Sequence, residues 1–476
     1  MAGRNEGGQL RGGWTARRTA VVAAGAAVAL VAGAAVAVQR HGGVASVLPV
    51  ASPTPEPTRS PLLPADPADA ARPTAAGLAR ALAAGLRDPA LGPHVAVSVV
   101  DTSTGAPLLE TGARAVVLPA STAKIATAVA VLTGLPPDRR LTTRVVTGPG
   151  PGDVVLVGGG DPTLSGPFTR PGYPGAARLA DLAAAVRTAL AGKAVRRVLV
   201  DDSLYTGPQL GPGWRPEYVT SGDVSPVQAL MVDEGRTSLT PVDGPFRAPR
   251  RPDPALAAGH DLAVLLGAPH AAVLRGPATP GGATLGQVTS PTVVELVEQM
   301  LTRSDNDLAE ALARQLALAR GLPASFTGAA AALRAVLADV LVRAGATPQA
   351  IQLADGSGLS RLDRVQPGGL TRLLSAIAGA DRNRLFPVLS GLPVAGFDGT
   401  LSRRFRHGPG RPAAGVVRAK TGTLNGVSAL AGLVRTRDGR LLAFDLTADA
   451  VPLGATLASQ TALDRLAAAL AGCGCR

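Results

Sequence analysis

Apolar and polar positions change period several times along this 476-residue chain, and each change marks a boundary. The first is an uncharged run from Thr19 to Val38, long enough to cross a bilayer and longer than the usual core of a cleavable signal. Arg4, Arg11, Arg17 and Arg18 precede it, the charged flank of an export signal or membrane anchor. Ala35-Val36-Ala37 also fits a small-x-small cleavage site, although a retained anchor is the preferred reading. Periodicity then disappears between His41 and Pro73, where Pro49, Pro53, Pro55, Pro57, Pro61, Pro64 and Pro67 describe an extended spacer. The expected order is a cytoplasmic basic segment over 1–18, an anchor or signal over 19–38 and a Pro-rich linker over 39–74.

Helical spacing starts near Thr74 and runs to Leu86, and Val95 to Val100 with Pro107 to Glu110 reads as a hairpin around Thr104-Gly105. Ile125, Val129 and Leu132 define a helix opening at Ser121. Two further helices are expected over Thr292–Thr302 and Asp307–Arg320, with Pro291 in the first turn of one, Gly321 ending the other and Ser304-Asp305-Asn306 in the break. Val427 to Val434 and Leu441 to Thr447 flank Asp438-Gly439, a hairpin signal, and an Ala/Leu helix closes the chain from Thr456 to Ala471. Between about 140 and 285 the pattern breaks into short apolar runs, such as Asp153–Val157 and Val195–Val200, among glycines and prolines. Gly158-Gly159-Gly160-Asp161-Pro162 lacks the Lys-Ser/Thr end of a phosphate loop and reads as a tight turn.

Composition narrows the function. Hydrophobic residues make up 46% and charged residues 17%, so the roughly 400 residues after the spacer can bury more than one core, and two or three subdomains are expected. The net charge of +13 is scattered, and aromatic residues are only 3%, a poor match to nucleic-acid binding. The five histidines show no metal-ligand spacing, so no metal or cofactor is expected. Cys473 and Cys475 are the two cysteines, and one intervening residue would strain a bond between them.

Candidate chemistry comes from the lysines, only three against 44 arginines. A buried lysine can lose its proton and act as a base, which arginine cannot. Lys124 closes Ser121-Thr122-Ala123-Lys124, and residues three apart on a helix share a face, so its amine can take the proton that makes Ser121 a nucleophile. Lys420 opens Lys420-Thr421-Gly422-Thr423 on an edge strand, offering charge and hydroxyls to a substrate carboxylate and, by like-charge repulsion, lowering the pKa of Lys124. Ser304 is placed to relay a proton to a leaving amine, and Asn306 to hold an amide carbonyl. The oxyanion would meet the backbone amides of Ser121 and Thr423. Each motif alone is weak. All three in this order arise by chance on the order of once in ten thousand such chains.

Together they are the signature of penicillin-recognising serine acyl-transfer enzymes. The chain resembles one family of them, the low-molecular-mass class C D-alanyl-D-alanine carboxypeptidase/endopeptidases of the penicillin-binding protein 4 (DacB) type. The likeness spans roughly 75 to 470 and rests also on Gly158 to Leu164, Val200-Asp201-Asp202-Ser203, Met231 to Arg236, Asp355-Gly356-Ser357-Gly358-Leu359-Ser360, Pro393 to Gly396 and Asp398-Gly399-Thr400-Leu401. Ser225-Pro226-Val227-Gln228 and Asp363 depart from the expected pattern and bear on specificity rather than reaction. The resemblance implies an α/β (α+β) fold, a transpeptidase/β-lactamase-like domain with a five-stranded antiparallel sheet flanked by helices. It would occupy 75–140 and 285–476, interrupted by an inserted region over 141–284. Ser121 would be acylated, Lys124 would accept its proton, Ser304 and Asn306 would form the second motif, and Lys420, Thr421, Gly422 and Thr423 would bind substrate. Implied partners are peptidoglycan stem peptides and, as covalent inhibitors, β-lactams. The implied location is extracytoplasmic, at the cell envelope. The rival readings are a β-lactamase, disfavoured by the absence of Tyr-x-Asn, and a catalytically silent wall-binding scaffold.

Overall fold

A computed structural model describes residues 70–166, 172–238, 248–379 and 382–475. The basic segment, the apolar run and nearly all of the Pro-rich spacer lie outside these residues. Among the described residues, no helix is long and apolar enough to cross a membrane.

The described residues open with helix α1 (Ala75–Leu86), whose N-cap Thr74 Oγ1 accepts the Gly77 N–H. Strands β1 (Val95–Asp101) and β2 (Pro107–Thr111) form the expected hairpin. Helix α2 (Ala123–Gly134) follows a 3-10 turn over Ala120–Thr122. Next come β3 (Arg140–Thr147), β4 (Asp153–Val157), α3 (Leu179–Leu190), β5 (Arg197–Asp201), α4 (Glu217–Thr220), α5 (Pro254–Leu265), β6 (Ala272–Arg275) and β7 (Thr284–Thr292). The third stretch holds α6 (Val293–Arg303), α7 (Asn306–Ala319), α8 (Phe326–Arg343), β8 (Ile351–Gln352), β9 (Arg364–Val365), α9 (Pro367–Ala378) and α10 (Arg382–Gly391). Strands β10 (Val417–Leu424), β11 (Val427–Arg435) and β12 (Leu441–Ala448) lead to the last helix, α11 (Thr456–Ala471).

The five-stranded antiparallel sheet is present, in the order β10-β11-β12-β1-β2. Strands β11 and β12 are buried on both faces, which is why they read as continuous apolar runs. One face packs on α1 and α11 through Leu78, Leu82, Leu463 and Leu466, and the other on a helical core from α2 and α6 to α10. Strand β10 is the edge, and Lys420 lies on it.

Residues between α2 and α6 build a second sheet, ordered β6-β5-β4-β3-β7. Strands β4, β5 and β6 are parallel, and α3 and α5 cross between them to cover a separate core of Leu156, Leu182, Val198 and Leu262. The glycine run after β4 is a close backbone approach, since a Cβ on Gly159 would fall 1.9 Å from the Thr142 carbonyl oxygen.

Three local details differ from the sequence reading. Pro291 lies in β7, one residue before its end, instead of in a helix, because Thr292 and Glu295 form a capping box that begins α6 at Val293. Asn306 is the first residue of α7, capped by Asp305, so it leaves the break for the helix. Cys473 and Cys475 are joined to each other by a disulfide.

Candidate active site

Ser121 stands in the 3-10 turn before α2, and its predecessor Ala120 adopts φ 47°, the left-handed region that costs a non-glycine residue about 1–3 kcal/mol. Two neighbours hold that turn. Gly358, at φ 82°, passes so close that a Cβ there would lie 2.0 Å from the Ala120 carbonyl oxygen. Gly422 of β10 presses from the other side, where a Cβ would come within 2.7 Å of the Pro119 oxygen and 3.2 Å of the Ala120 Cβ. The Lys-Thr-Gly glycine therefore lets the edge strand approach the serine.

One helical turn beyond Ser121, Lys124 is fully buried and its Nζ donates to Ser121 Oγ at 3.0 Å. It also donates to Asn306 Oδ1 at 2.6 Å and to the Ser357 carbonyl at 2.6 Å. Burial pushes its pKa down to about 8, with Asp355, Asp305, Glu310 and Asp363 opposing the fall. Lys420 is equally buried, and its Nζ donates to Ser304 Oγ at 2.7 Å and to the Thr421 carbonyl at 2.9 Å. Burial, and then the Lys124 charge, lower its pKa well below the usual lysine value. Repulsion between the two ammonium groups is reciprocal, as the sequence led one to expect, but burial is the larger cause of the lowering at both amines.

Ser304 terminates α6 in a left-handed conformation, φ 60°, which turns its hydroxyl toward Lys420. Asn306 Nδ2 donates to the Asp223 carbonyl at 2.8 Å, linking α7 to the segment after α4, and its second N–H remains for a ligand. Thr421 Oγ1 donates to Thr400 Oγ1 at 2.9 Å, and Gln460 Nε2 donates to Thr423 Oγ1 at 3.2 Å. Ser121, Ser304, Asn306, Thr421 and Thr423 line one cleft of about 610 Å³, with Lys124 and Lys420 beneath it. Tyr218, Leu359 and Leu424 give the cleft an apolar wall. All eight residues singled out in the sequence are accordingly brought to one place.

Glu234, Asp305 and Asp307 approach one another beside the cleft, with one ligand atom of each within 4.8 Å of the others. Guanidinium groups already occupy this cluster: Arg236 Nε bonds Glu234 at 2.7 Å, and Arg250 Nη2 meets Asp307 at 3.1 Å. Burial, and then the Asp305 charge, raise the Glu234 pKa well above the ordinary value, with Arg236 and Arg250 opposing the rise. Such a site suits arginine rather than a metal ion.

Sequence reasoning missed Ser357 and Glu310. The run 355–360 carried part of the family resemblance, but nothing local revealed that the Ser357 carbonyl would meet Lys124, or that Glu310 Oε1 would accept the Gly356 and Ser357 N–H groups at 3.0 and 2.9 Å.

A family profile described as D-Ala-D-Ala carboxypeptidase 3 (S13) matches residues 78–258 and 248–470. The chain belongs to this family. As an S13 carboxypeptidase the protein is a hydrolase. It is 43% identical over 470 residues to carboxypeptidase DacB of Mycolicibacterium smegmatis, covering 96% of this chain and 98% of the relative. It is 30% identical over 462 residues to the D-alanyl-D-alanine carboxypeptidase of Actinomadura, covering 79% and 82%. In fold it resembles penicillin-binding protein 4 of Haemophilus influenzae, with a TM-score of 0.65 at 22% identity over 82% of this S13 chain and 97% of that one.

Proposed function

We propose that this S13 enzyme is a penicillin-binding, serine-type D-alanyl-D-alanine carboxypeptidase/endopeptidase of peptidoglycan stem peptides and cross-links, working through an acyl-enzyme on Ser121. The observation that carries this reading is the pairing of each motif lysine with a motif hydroxyl in one cleft, Lys124 with Ser121 at 3.0 Å and Lys420 with Ser304 at 2.7 Å. In the proposed sequence, Ser121 Oγ attacks the carbonyl carbon of the penultimate D-alanine as its proton passes to neutral Lys124. The backbone amides of Ser121 and Thr423 receive the oxyanion. The C–N bond then breaks, Ser304, bonded to Lys420, hands a proton to the departing amine, and the proton that Lys124 gained passes to Ser304, leaving Lys124 neutral again. Water, deprotonated by Lys124, hydrolyses the ester and restores Ser121.

The terminal carboxylate lies against Lys420, Thr421 and Thr423. Its arrival raises the depressed Lys420 pKa, so substrate supplies the charge that recognises it. Asn306 keeps an N–H for the substrate backbone carbonyl. In this reading the catalytic part comprises 75–140 and 285–476 and 141–284 is the insertion; the separate sheet and core of the intervening chain support an insertion, although β7 (Thr284–Thr292) belongs to that sheet and carries its end to about 292. The enzyme acts outside the cytoplasm at the cell envelope, held to the membrane through residues 19–38, and the Arg-flanked apolar run supports that anchoring. β-Lactams present a strained amide to the same serine and leave it acylated.

Replacing Ser121 with Ala tests the scheme. Wild-type protein takes up fluorescent penicillin covalently and releases D-alanine from purified muropeptides by mass spectrometry, and the variant does neither. Labelling that survives in S121A ends the assignment of the nucleophile.

A further inference from the structure

Helix α7 bears on the base in two ways, once directly through a signature residue and once through a loop. Asn306 accepts from Lys124 Nζ directly at 2.6 Å. One turn later on the same helix face, Glu310 reaches the loop whose Ser357 carbonyl accepts from the same amine at 2.6 Å. We propose that Glu310 is a positioning residue for acylation: its carboxylate clamps the 356–357 amides so that the Ser357 carbonyl aims Lys124 at Ser121. The proposal rests on the lysine-base reading above.

The geometry is over-determined around that clamp. Glu310 Oε1 takes both amides, while Oε2 takes Arg314 Nη1 at 3.2 Å, and Arg314 lies 4.1 Å over the Phe326 ring. Both charged side chains are essentially without solvent exposure, so the pair cannot relax into water. From α2, Thr127 Oγ1 donates to the Gly356 carbonyl at 2.7 Å, tying the loop to the helix that carries Lys124. Asp355 gathers the next turn through the amides of Gly358 and Ser360, both at 2.7 Å, and through Trp214 Nε1 at 2.6 Å. Because Gly358 abuts the Ala120 carbonyl, a shift of this loop displaces nucleophile and base together.

Charge gives the clamp a second effect. Lys124 is faced by Asp305 and Glu310 from α7, by Asp355 and Asp363 from the loop, and by Lys420 from β10. Burial, and then the Asp355 charge, raise the pKa of Glu310 itself to about 7, and once ionised it is among the groups that hold the Lys124 pKa up. A glutamine there keeps an acceptor for both amides and removes the charge. The Lys124 pKa then falls, and the acid limb of acylation moves to lower pH.

The test measures penicillin acylation by stopped flow from pH 6 to 10 in wild type, in Glu310→Gln, and in Glu310→Met/Arg314→Met, which removes the acceptor for both amides and leaves no buried cation orphaned. The expected result is a plateau acylation rate constant close to wild type in Glu310→Gln, which keeps the acceptor, and one lowered between about 10- and 100-fold in the double variant, as for an aligning group displaced by under an ångström, with the encounter affinity for penicillin unchanged. In Glu310→Gln the acid limb should move measurably to lower pH, a movement that a purely structural role does not produce. In the wild type the Gly356 and Ser357 amides should exchange with deuterium as slowly as core amides. Folded variants with wild-type rate and limb, or fast exchange at those two amides, overturn the proposal. A wild type that takes up no penicillin at all overturns the lysine-base reading instead.

Discussion

Lys124 and Lys420 are the same side chain, equally buried, each bonded to a serine hydroxyl, yet their surroundings are opposite. Around Lys124 the structure gathers carboxylates from two segments, the α7 cap Asp305 with Glu310 one turn into that helix, and Asp355 with Asp363 on the loop between β8 and β9. Around Lys420 the charged neighbour that counts is Lys124 itself. Burial lowers both amines. The acids then return Lys124 to about 8, where it can accept and release a proton, whereas Lys420 is left short of negative charge until a carboxylate binds. A base and a carboxylate receptor are thus made from one residue type by what is placed around it.

That contrast can be broken by experiment. The largest effect is expected for Lys124→Met, which removes the proton acceptor and should slow penicillin acylation by roughly 10²- to 10⁴-fold, as measured from the rate of covalent labelling. The same change at Lys420 should act on recognition: kcat/KM for a peptide ending in free D-alanine should fall about 10- to 150-fold, the worth of a hydrogen bond to charge, while its C-terminal amide loses far less. Equal losses for acid and amide would erase the distinction between the two lysines. A smaller effect is the pH profile of wild-type acylation. Lys124 works as the neutral amine, so the rate should climb about tenfold per pH unit up to about 8 and level above it, and a flat profile from pH 6 to 9 would deny its role. Smallest is Thr421→Val, which removes one hydroxyl shared with Thr400 and should raise KM about two- to twelvefold with kcat nearly constant in steady-state assays.

Much of the machinery was legible because it is local. Ser121 and Lys124 share one helical turn, and the alternation along β10 buries Lys420 and Gly422 while leaving Thr421 and Thr423 partly or fully exposed. The final helix and the β11–β12 hairpin were readable from period and turn chemistry. Ser304 shows where such reading stops. Its place after α6 was visible, but its left-handed backbone and its bond to a lysine 116 positions away were not. Pro291 misled, because a proline fits a strand end as well as a first helical turn, and the capping box at Thr292 decided between them.

The amino-acid sequence alone determined which residue types could do the chemistry, for only lysine among the abundant basic side chains can give up its proton at working pH, and three lysines left few choices. Tertiary structure decided which lysine does what. A pKa depends on burial and on charges within a few ångströms, and here those charges arrive from positions 305, 310, 355 and 363, distances along the chain that no local pattern encodes.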